Sequence, residues 1–91
     1  MNDSKRNGHV LLEAHKLING DRQDEYGEPC ESFRRIAAMW SAYLGRELDG
    51  HDVACMMALL KLGRESFRHK ADNLIDAAGS IGLAGDMASR A

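Results

Sequence analysis

The chain has 91 residues, of which 44% are hydrophobic and 29% are charged, a composition typical of one small globular domain. Twelve Lys and Arg residues against 14 Asp and Glu residues give a net charge of -2, so the chain as a whole does not attract a long nucleic acid. No apolar run reaches the roughly 18 residues of a membrane span, and the polar first eight residues lack a signal-peptide core. We therefore expect a soluble cytoplasmic protein.

The first helix is predicted to begin near Gly8, after a disordered tail over residues 1–7, and a single helical domain is expected over residues 8–91. Its apolar residues recur at the spacing of one helix face, namely Val10, Leu11, Ala14, Leu17 and Ile18. Asn19 and Gly20 end this helix in the sequence pattern, because Gly readily adopts the left-handed conformation of a helix cap.

A second helix is predicted from Pro29, which suits a first helical turn, to Gly45, which follows its last apolar residue. The third helix begins with Asp49 as N-cap and Asp52 three residues later, an arrangement that favours a capping box. It continues to about Ser66 and is apolar around more than half of its circumference. This pattern predicts that the third helix is the central and most buried one.

Residues 67–70 connect to a fourth helix, predicted over residues 71–89, whose surface is almost bare of large side chains. Its small residues are Ala77, Ala78, Gly79, Gly82, Ala84 and Gly85. Each interior Gly costs on the order of 1 kcal/mol in helix propensity, which close helix packing can offset. The partner is either another helix of the same subunit or a second subunit. We expect an all-α, compact up-down bundle of about four helices, completed by oligomerisation.

The polar loop between the first two helices contains candidate substrate-binding residues, namely Asp21, Arg22 and Tyr26. An arginine offers a guanidinium fork for phosphate, and a tyrosine offers a ring for stacking on a base. The other interpretation is an ordinary solvated turn with helix-capping acids.

Charged residues on the third and fourth helices form the second group of candidates. Lys61 and Arg64 share one face of a mostly apolar helix, and such cations need carboxylate partners or a bound phosphate. Asp72 and Asp76 are one helical turn apart, so both carboxylates point the same way. They would hold a divalent cation such as Mg²⁺, or form a salt bridge with Lys61 or Arg64.

Two further features have a structural interpretation. The pair His51 and Asp52 is reminiscent of metal-dependent phosphohydrolases, but it falls in a first helical turn where Asp52 already acts as a cap. Cys30 and Cys55 have no metal-ligand spacing and are expected to be reduced core thiols.

The order of these residues resembles a largely uncharacterised family of short phage and prophage proteins, over about residues 9–85. The segments that carry the resemblance are Leu12-Glu13-Ala14-His15, Asn19-Gly20-Asp21-Arg22, Tyr26-Gly27, Phe33, Ile36-Ala37, Trp40-Ser41-Ala42-Tyr43-Leu44, His51-Asp52-Val53-Ala54, Met56-Met57, Lys61 with Arg64, and Asp72 with Asp76-Ala77-Ala78-Gly79. Some members of this family are labelled MazG-like nucleotide pyrophosphohydrolases.

The resemblance implies an all-α enzyme that uses Mg²⁺ to split a nucleoside triphosphate into a monophosphate and pyrophosphate. Asp72 and Asp76 would bind the metal and act in catalysis with Lys61. Lys61 and Arg64 would also neutralise phosphate charge. The enzyme would act in the cytoplasm of an infected or lysogenic bacterial host. MazG-type enzymes carry a Glu-x-x-Glu pair and a Glu-x-x-Asp pair on helices, whereas this chain spaces Asp72 and Asp76 four apart. The possible further carboxylates are Glu13, Asp49 and Asp52.

Two other functions fit the same residues. The chain could be a non-enzymatic phage sponge that sequesters a cyclic-nucleotide or ADP-ribose-type immune signal at a subunit interface. It could also be a structural or regulatory phage oligomer in which the charged residues form ion pairs.

Overall fold

The computed structural model describes residues 7–20 and 28–90, with the backbone alone for Ser89 and Arg90. These residues form four α-helices and, within the described ranges, no strand. The helices are α1 (His9–Ile18), α2 (Pro29–Leu44), α3 (Gly50–Phe67) and α4 (Ala71–Arg90). The predicted all-α bundle of four helices is confirmed. Of the predicted tail over residues 1–7, all but Asn7 lies outside the described residues.

The helix starts follow the local chemistry of the sequence. At α2, the Glu28 carboxylate accepts hydrogen bonds from the backbone N–H groups of Cys30 at 3.1 Å and Glu31 at 3.0 Å, and Pro29 occupies the first turn. At α3, the Asp49 carboxylate accepts the Asp52 N–H at 2.8 Å, and the Asp52 carboxylate accepts the Asp49 N–H at 3.0 Å. The predicted capping box is therefore confirmed.

The helix ends differ from each other. Gly45 ends α2 with a φ of 68°, in the left-handed conformation, and its N–H donates to the Ser41 carbonyl. At α1 the predicted left-handed Gly20 is wrong, because Asn19 is the cap residue with a φ of -113°. The Asn19 side-chain amide donates to the His15 carbonyl at 2.8 Å, which satisfies one of the last carbonyls of α1 without a left-handed glycine.

The central helix of the bundle is α4, which contacts each of the other three helices. It runs antiparallel to α3, since Lys61 on α3 pairs with Asp76 and Glu65, one turn later, pairs with Asn73. The prediction that α3 is the most buried helix is wrong. Leu59 and Leu60 on α3 are 67% and 46% exposed, because the apolar circumference of α3 extends beyond the face that packs against α2 and α4.

Small side chains line the interior of the bundle. Its main buried cluster consists of Cys30, Ala54, Leu83, Ala84 and Met87, with Ile18 and Phe33 packed against it. Cys30 is buried as predicted, whereas Cys55 is exposed, so the assignment of Cys55 to the core is wrong.

The glycines of α4 are not equivalent. A Cβ on Gly79 would lie 3.1 Å from Ile18 Cγ2, so α1 approaches α4 closely at this point. This contact supports the interpretation of tight packing inside one subunit. A Cβ on Gly85 would meet no atom within 4 Å in the part of the chain that the structure describes.

A matched pair of substitutions tests this difference. Gly79→Leu should lower the free energy of unfolding by roughly 1–3 kcal/mol, because the side chain would overpack against Ile18. Gly85→Leu should raise it by up to about 1 kcal/mol through helix propensity. Urea denaturation of both variants measures the two effects, and equal effects at the two positions would contradict the close contact of α1 with α4.

Candidate functional site

A cleft of about 440 Å³ lies between α1 and α4 and collects three of the carboxylates of the chain. We call it the acidic cleft, and its lining residues are Glu13, Lys16, Leu17, Gly20, Asp72, Ile75 and Asp76. Asp72 and Asp76 come from one face of α4, whereas Glu13 comes from α1, 59 residues earlier in the sequence. The close contact between Gly79 and Ile18 sets the distance between the two helices that form its walls.

Two lysines balance part of this negative charge. Lys61 Nζ lies 3.3 Å from Asp76 Oδ2, and both side chains are less than one third exposed. Lys16 Nζ lies 3.2 Å from Glu13 Oε2 at the more exposed wall of the cleft. The salt bridge between Asp76 and Lys61, one of the two predicted alternatives, is therefore formed. Asp72 is exposed at the cleft.

The three candidates of the loop between α1 and α2 fall outside the described residues. These are Asp21, Arg22 and Tyr26. The last described residue before the loop, Gly20, lines the acidic cleft. The segment that contains the three residues is thus joined to the chain at this cleft.

Arg64 is the one described candidate that the structure separates from the others. It lines a different cleft of about 780 Å³ at the corner between α3 and α4, together with Leu60, Gly63, Phe67, Arg68, Lys70 and Asn73. In the part of the chain that the structure describes, no carboxylate oxygen lies within 4.0 Å of the charged groups of Arg64, Arg68 or Lys70. Phe67 is 88% exposed beside them. We call this the basic cleft.

Glu65 stabilises the corner between α3 and α4, where the basic cleft lies. Its carboxylate accepts the Lys70 N–H at 2.9 Å and the Asn73 side-chain amide at 3.3 Å, and it also bonds to the His69 imidazole. The hydrogen bond with His69, followed by that with the Lys70 backbone, lowers the pKa of Glu65 below its ordinary value of 4.5. The charged form of Glu65 therefore stabilises the connection between the two helices.

A third group of possible ligands lies at the start of α3. One ligand atom each of Asp49, His51 and Asp52 lies within 4.8 Å of the others, which occurs at no other set of three His, Cys, Asp or Glu residues in the described chain. Both carboxylates already accept the backbone hydrogen bonds of the capping box. The helix cap thus accounts for this cluster.

The sequence identified Glu13 only as one of three possible further carboxylates, with Asp49 and Asp52, and it did not group Lys70 or Phe67 with Arg64. Residue spacing does not bring Glu13 to Asp72 and Asp76, because that grouping depends on how α1 packs against α4. Phe67 lies between Arg64 and Arg68 at the end of α3, and this was the one local feature of the sequence that pointed to the basic cleft.

Comparison with known proteins shows which family the chain belongs to. Residues 9–88 match the domain described as "Domain of unknown function (DUF6378)". The chain belongs to this family. It is 40% identical over 74 residues to the Gene 55 protein of Mycobacterium phage D29, and 43% identical over 77 residues to the Gene 55 protein of Mycobacterium phage L5. The expected relationship to phage proteins is thereby confirmed.

The chain spans about half the length of these relatives. The alignments cover 80% and 81% of this chain and 49% of each relative. No solved structure matches the chain significantly. Among the described residues, no helix is both long and apolar enough to cross a membrane.

The lowered pKa of Glu65 gives a prediction about stability and pH. A depressed folded-state pKa stabilises the fold above the unfolded value of 4.5, and this contribution is lost as the pH falls through the folded value. The variant Glu65→Gln should therefore have a lower Tm than the wild type at pH 6, with a difference that shrinks below about pH 4.5. Thermal unfolding between these conditions checks the trend, with Glu47→Gln as the charge-matched control. A difference that grows on acidification would contradict this role of Glu65.

Proposed function

We propose that this chain is a phage nucleotide-binding protein that hydrolyses a nucleoside triphosphate at the acidic cleft, in the manner of a MazG-like pyrophosphohydrolase. The observation that carries the proposal is the convergence of Glu13, Asp72 and Asp76 on one cleft. Asp72 and Asp76 are the residues that the resemblance assigns to metal binding. Glu13 adds a third carboxylate from another helix.

The acidic cleft offers carboxylate donors for Mg²⁺, although Glu13, Asp72 and Asp76 do not bring three ligand atoms within 4.8 Å of one another. This ion takes oxygen ligands, and proteins commonly bind it through one or two carboxylates together with the phosphates of a substrate. Asp72 and Asp76, one turn apart on α4, would hold it, with Glu13 across the cleft. When bound, Mg²⁺ supplies Lewis-acid polarisation of a phosphoryl oxygen.

Lys61 supports the same chemistry from α3. Its ammonium group lies 3.3 Å from the Asp76 carboxylate, so it fixes the orientation of that side chain. It also brings a positive charge to the edge of the cleft, where it would offset the charge of a triphosphate. The loop that begins after Gly20 would add Asp21, Arg22 and Tyr26, with the guanidinium on phosphate and the ring on the base or sugar.

Binding without turnover is the second candidate function, and the basic cleft favours it. Arg64, Arg68 and Lys70 surround this cleft without carboxylate partners among the described residues, beside an exposed aromatic ring. Cations and a stacking surface suit a cyclic-nucleotide or ADP-ribose-type signal. In that case the chain would sequester the signal in the cytoplasm of the infected host, as a homo-oligomer.

Release of pyrophosphate tests the first function. The purified protein, incubated with a panel of ribo- and deoxyribonucleoside triphosphates and Mg²⁺, should produce a monophosphate and pyrophosphate. Asp72→Asn and Asp76→Asn should each lower kcat/KM by roughly 100-fold or more, because they remove the charge that would hold the metal. Arg64→Gln is the control, because Arg64 lines the other cleft and should leave the rate nearly unchanged.

A thermal-shift panel separates the two candidates. If no triphosphate is cleaved, but a cyclic dinucleotide or ADP-ribose raises the Tm of the wild type and not of Arg64→Gln, the second function is correct and the first is wrong. Absence of both cleavage and any nucleotide-induced shift would contradict both functions.

A further inference from the structure

The face of α3 that points away from the bundle is apolar along most of its length. We call it the outer α3 face, and its residues are Met56, Leu59, Leu60, Leu62, Gly63 and Phe67. All six are exposed, up to 67% for Leu59 and 88% for Phe67. The opposite face of the same helix carries the buried residues Val53, Ala54 and Ala58. A contiguous apolar patch of this kind marks an interaction surface, whereas single exposed apolar residues do not.

We propose that the outer α3 face binds the same face of a second copy of this chain, with the two α3 helices antiparallel. The two-fold axis passes between Leu59 and Leu60, near the middle of the patch. This dimer is isologous, because the same surface serves both partners and closes the assembly at two copies. The inference rests on α3 alone and does not depend on the function of the acidic cleft. Leu60, Gly63 and Phe67 also line the basic cleft, so the dimer would cover this wall of the cleft and compete with a ligand that stacks on Phe67.

The area of the patch matches the requirement of a stable dimer. Its five large side chains are 38% to 88% exposed, and together they present roughly 570 Å² of apolar surface at about 200 Å² per fully exposed side chain. A homodimer of standard size buries about 800 Å² per partner, of which about 65% is apolar, or roughly 520 Å². The outer α3 face is therefore sufficient by itself.

Charge complementarity selects the antiparallel orientation. The start of α3 is acidic, with Asp49 and Asp52, whereas its end is basic, with Arg64 and Arg68. Antiparallel helices bring the acidic end of each copy to the basic end of the other, which favours association. Parallel helices would place like charges next to each other at both ends.

Gly63 is explained by the same arrangement. It lies inside α3, where a glycine costs about 1 kcal/mol relative to alanine. A Cβ at this position would meet no atom of the described residues within 4 Å, so packing among these residues does not require glycine. Met56 precedes Leu59 by three residues and Gly63 follows Leu60 by three, so the two-fold axis places Met56 of one copy opposite Gly63 of the other. The flexible methionine fills the space that the missing side chain leaves.

Sedimentation equilibrium with one pair of matched variants tests the dimer. The wild type should have a mass of twice 10.0 kDa at a concentration of about 100 μM. Leu59→Glu should be a monomer, because a charge in the centre of the interface cannot be desolvated. Leu11→Glu should remain dimeric, although Leu11 is 68% exposed and Leu59 67%. Circular dichroism of each variant confirms that the helices are retained.

Cross-linking tests the orientation, in a Cys55→Ser background. With an antiparallel pair, Leu60→Cys should react with itself through a short bis-maleimide, since the two copies of residue 60 flank the axis. Phe67→Cys should not, because its two copies lie about 22 Å apart along the helix axis. A monomeric wild type, or a Leu59→Glu variant that dimerises like Leu11→Glu, would overturn the proposal. Self-cross-linking of Phe67→Cys would overturn the antiparallel arrangement.

Discussion

The close approach of α1 to α4 at Gly79 is the contact on which the rest of the molecule depends. Only 3.1 Å separates Ile18 Cγ2 from the point that a side chain on Gly79 would occupy. Because α4 has small residues on this side, it can contact α1 and α3 at the same time and so occupies the centre of the bundle. This close packing offsets the poor helix propensity of α4.

The same packing determines which charged residues meet. Glu13 reaches the carboxylates of α4 because α1 lies against that helix, and Lys61 reaches Asp76 because α3 runs antiparallel beside it. Arg64, one turn further along α3 than Lys61, lines the basic cleft at the corner between α3 and α4. The charges of the chain are thus divided into an acidic cleft between α1 and α4 and a basic cleft at the α3–α4 corner.

Local chemistry was readable from the sequence, and the relations between helices were not. The capping box of Asp49 and Asp52 and the cap at Gly45 each involve neighbouring residues, so spacing alone predicts them. The central position of α4 could not be predicted, because α3 is apolar on two faces and only one of them packs within the subunit. Asp72 and Asp76 share a face by helical spacing, whereas the contribution of Glu13 depends on tertiary packing. Gly20 gave the wrong cap because the amide of Asn19 supplies the hydrogen bond.

We propose that α1 and α4 together form one cation-binding cleft, so that a bound cation would lie near residues of both helices. Titration of Mn²⁺ into ¹⁵N-labelled protein measures this directly, because the paramagnetic ion broadens the amide signals of nearby residues. We predict that signals of residues 13–20 and of residues 72–76 broaden together at low Mn²⁺, and that Asp72→Asn weakens both effects. Broadening confined to residues 49–52, or to only one of the two helices, would contradict the account.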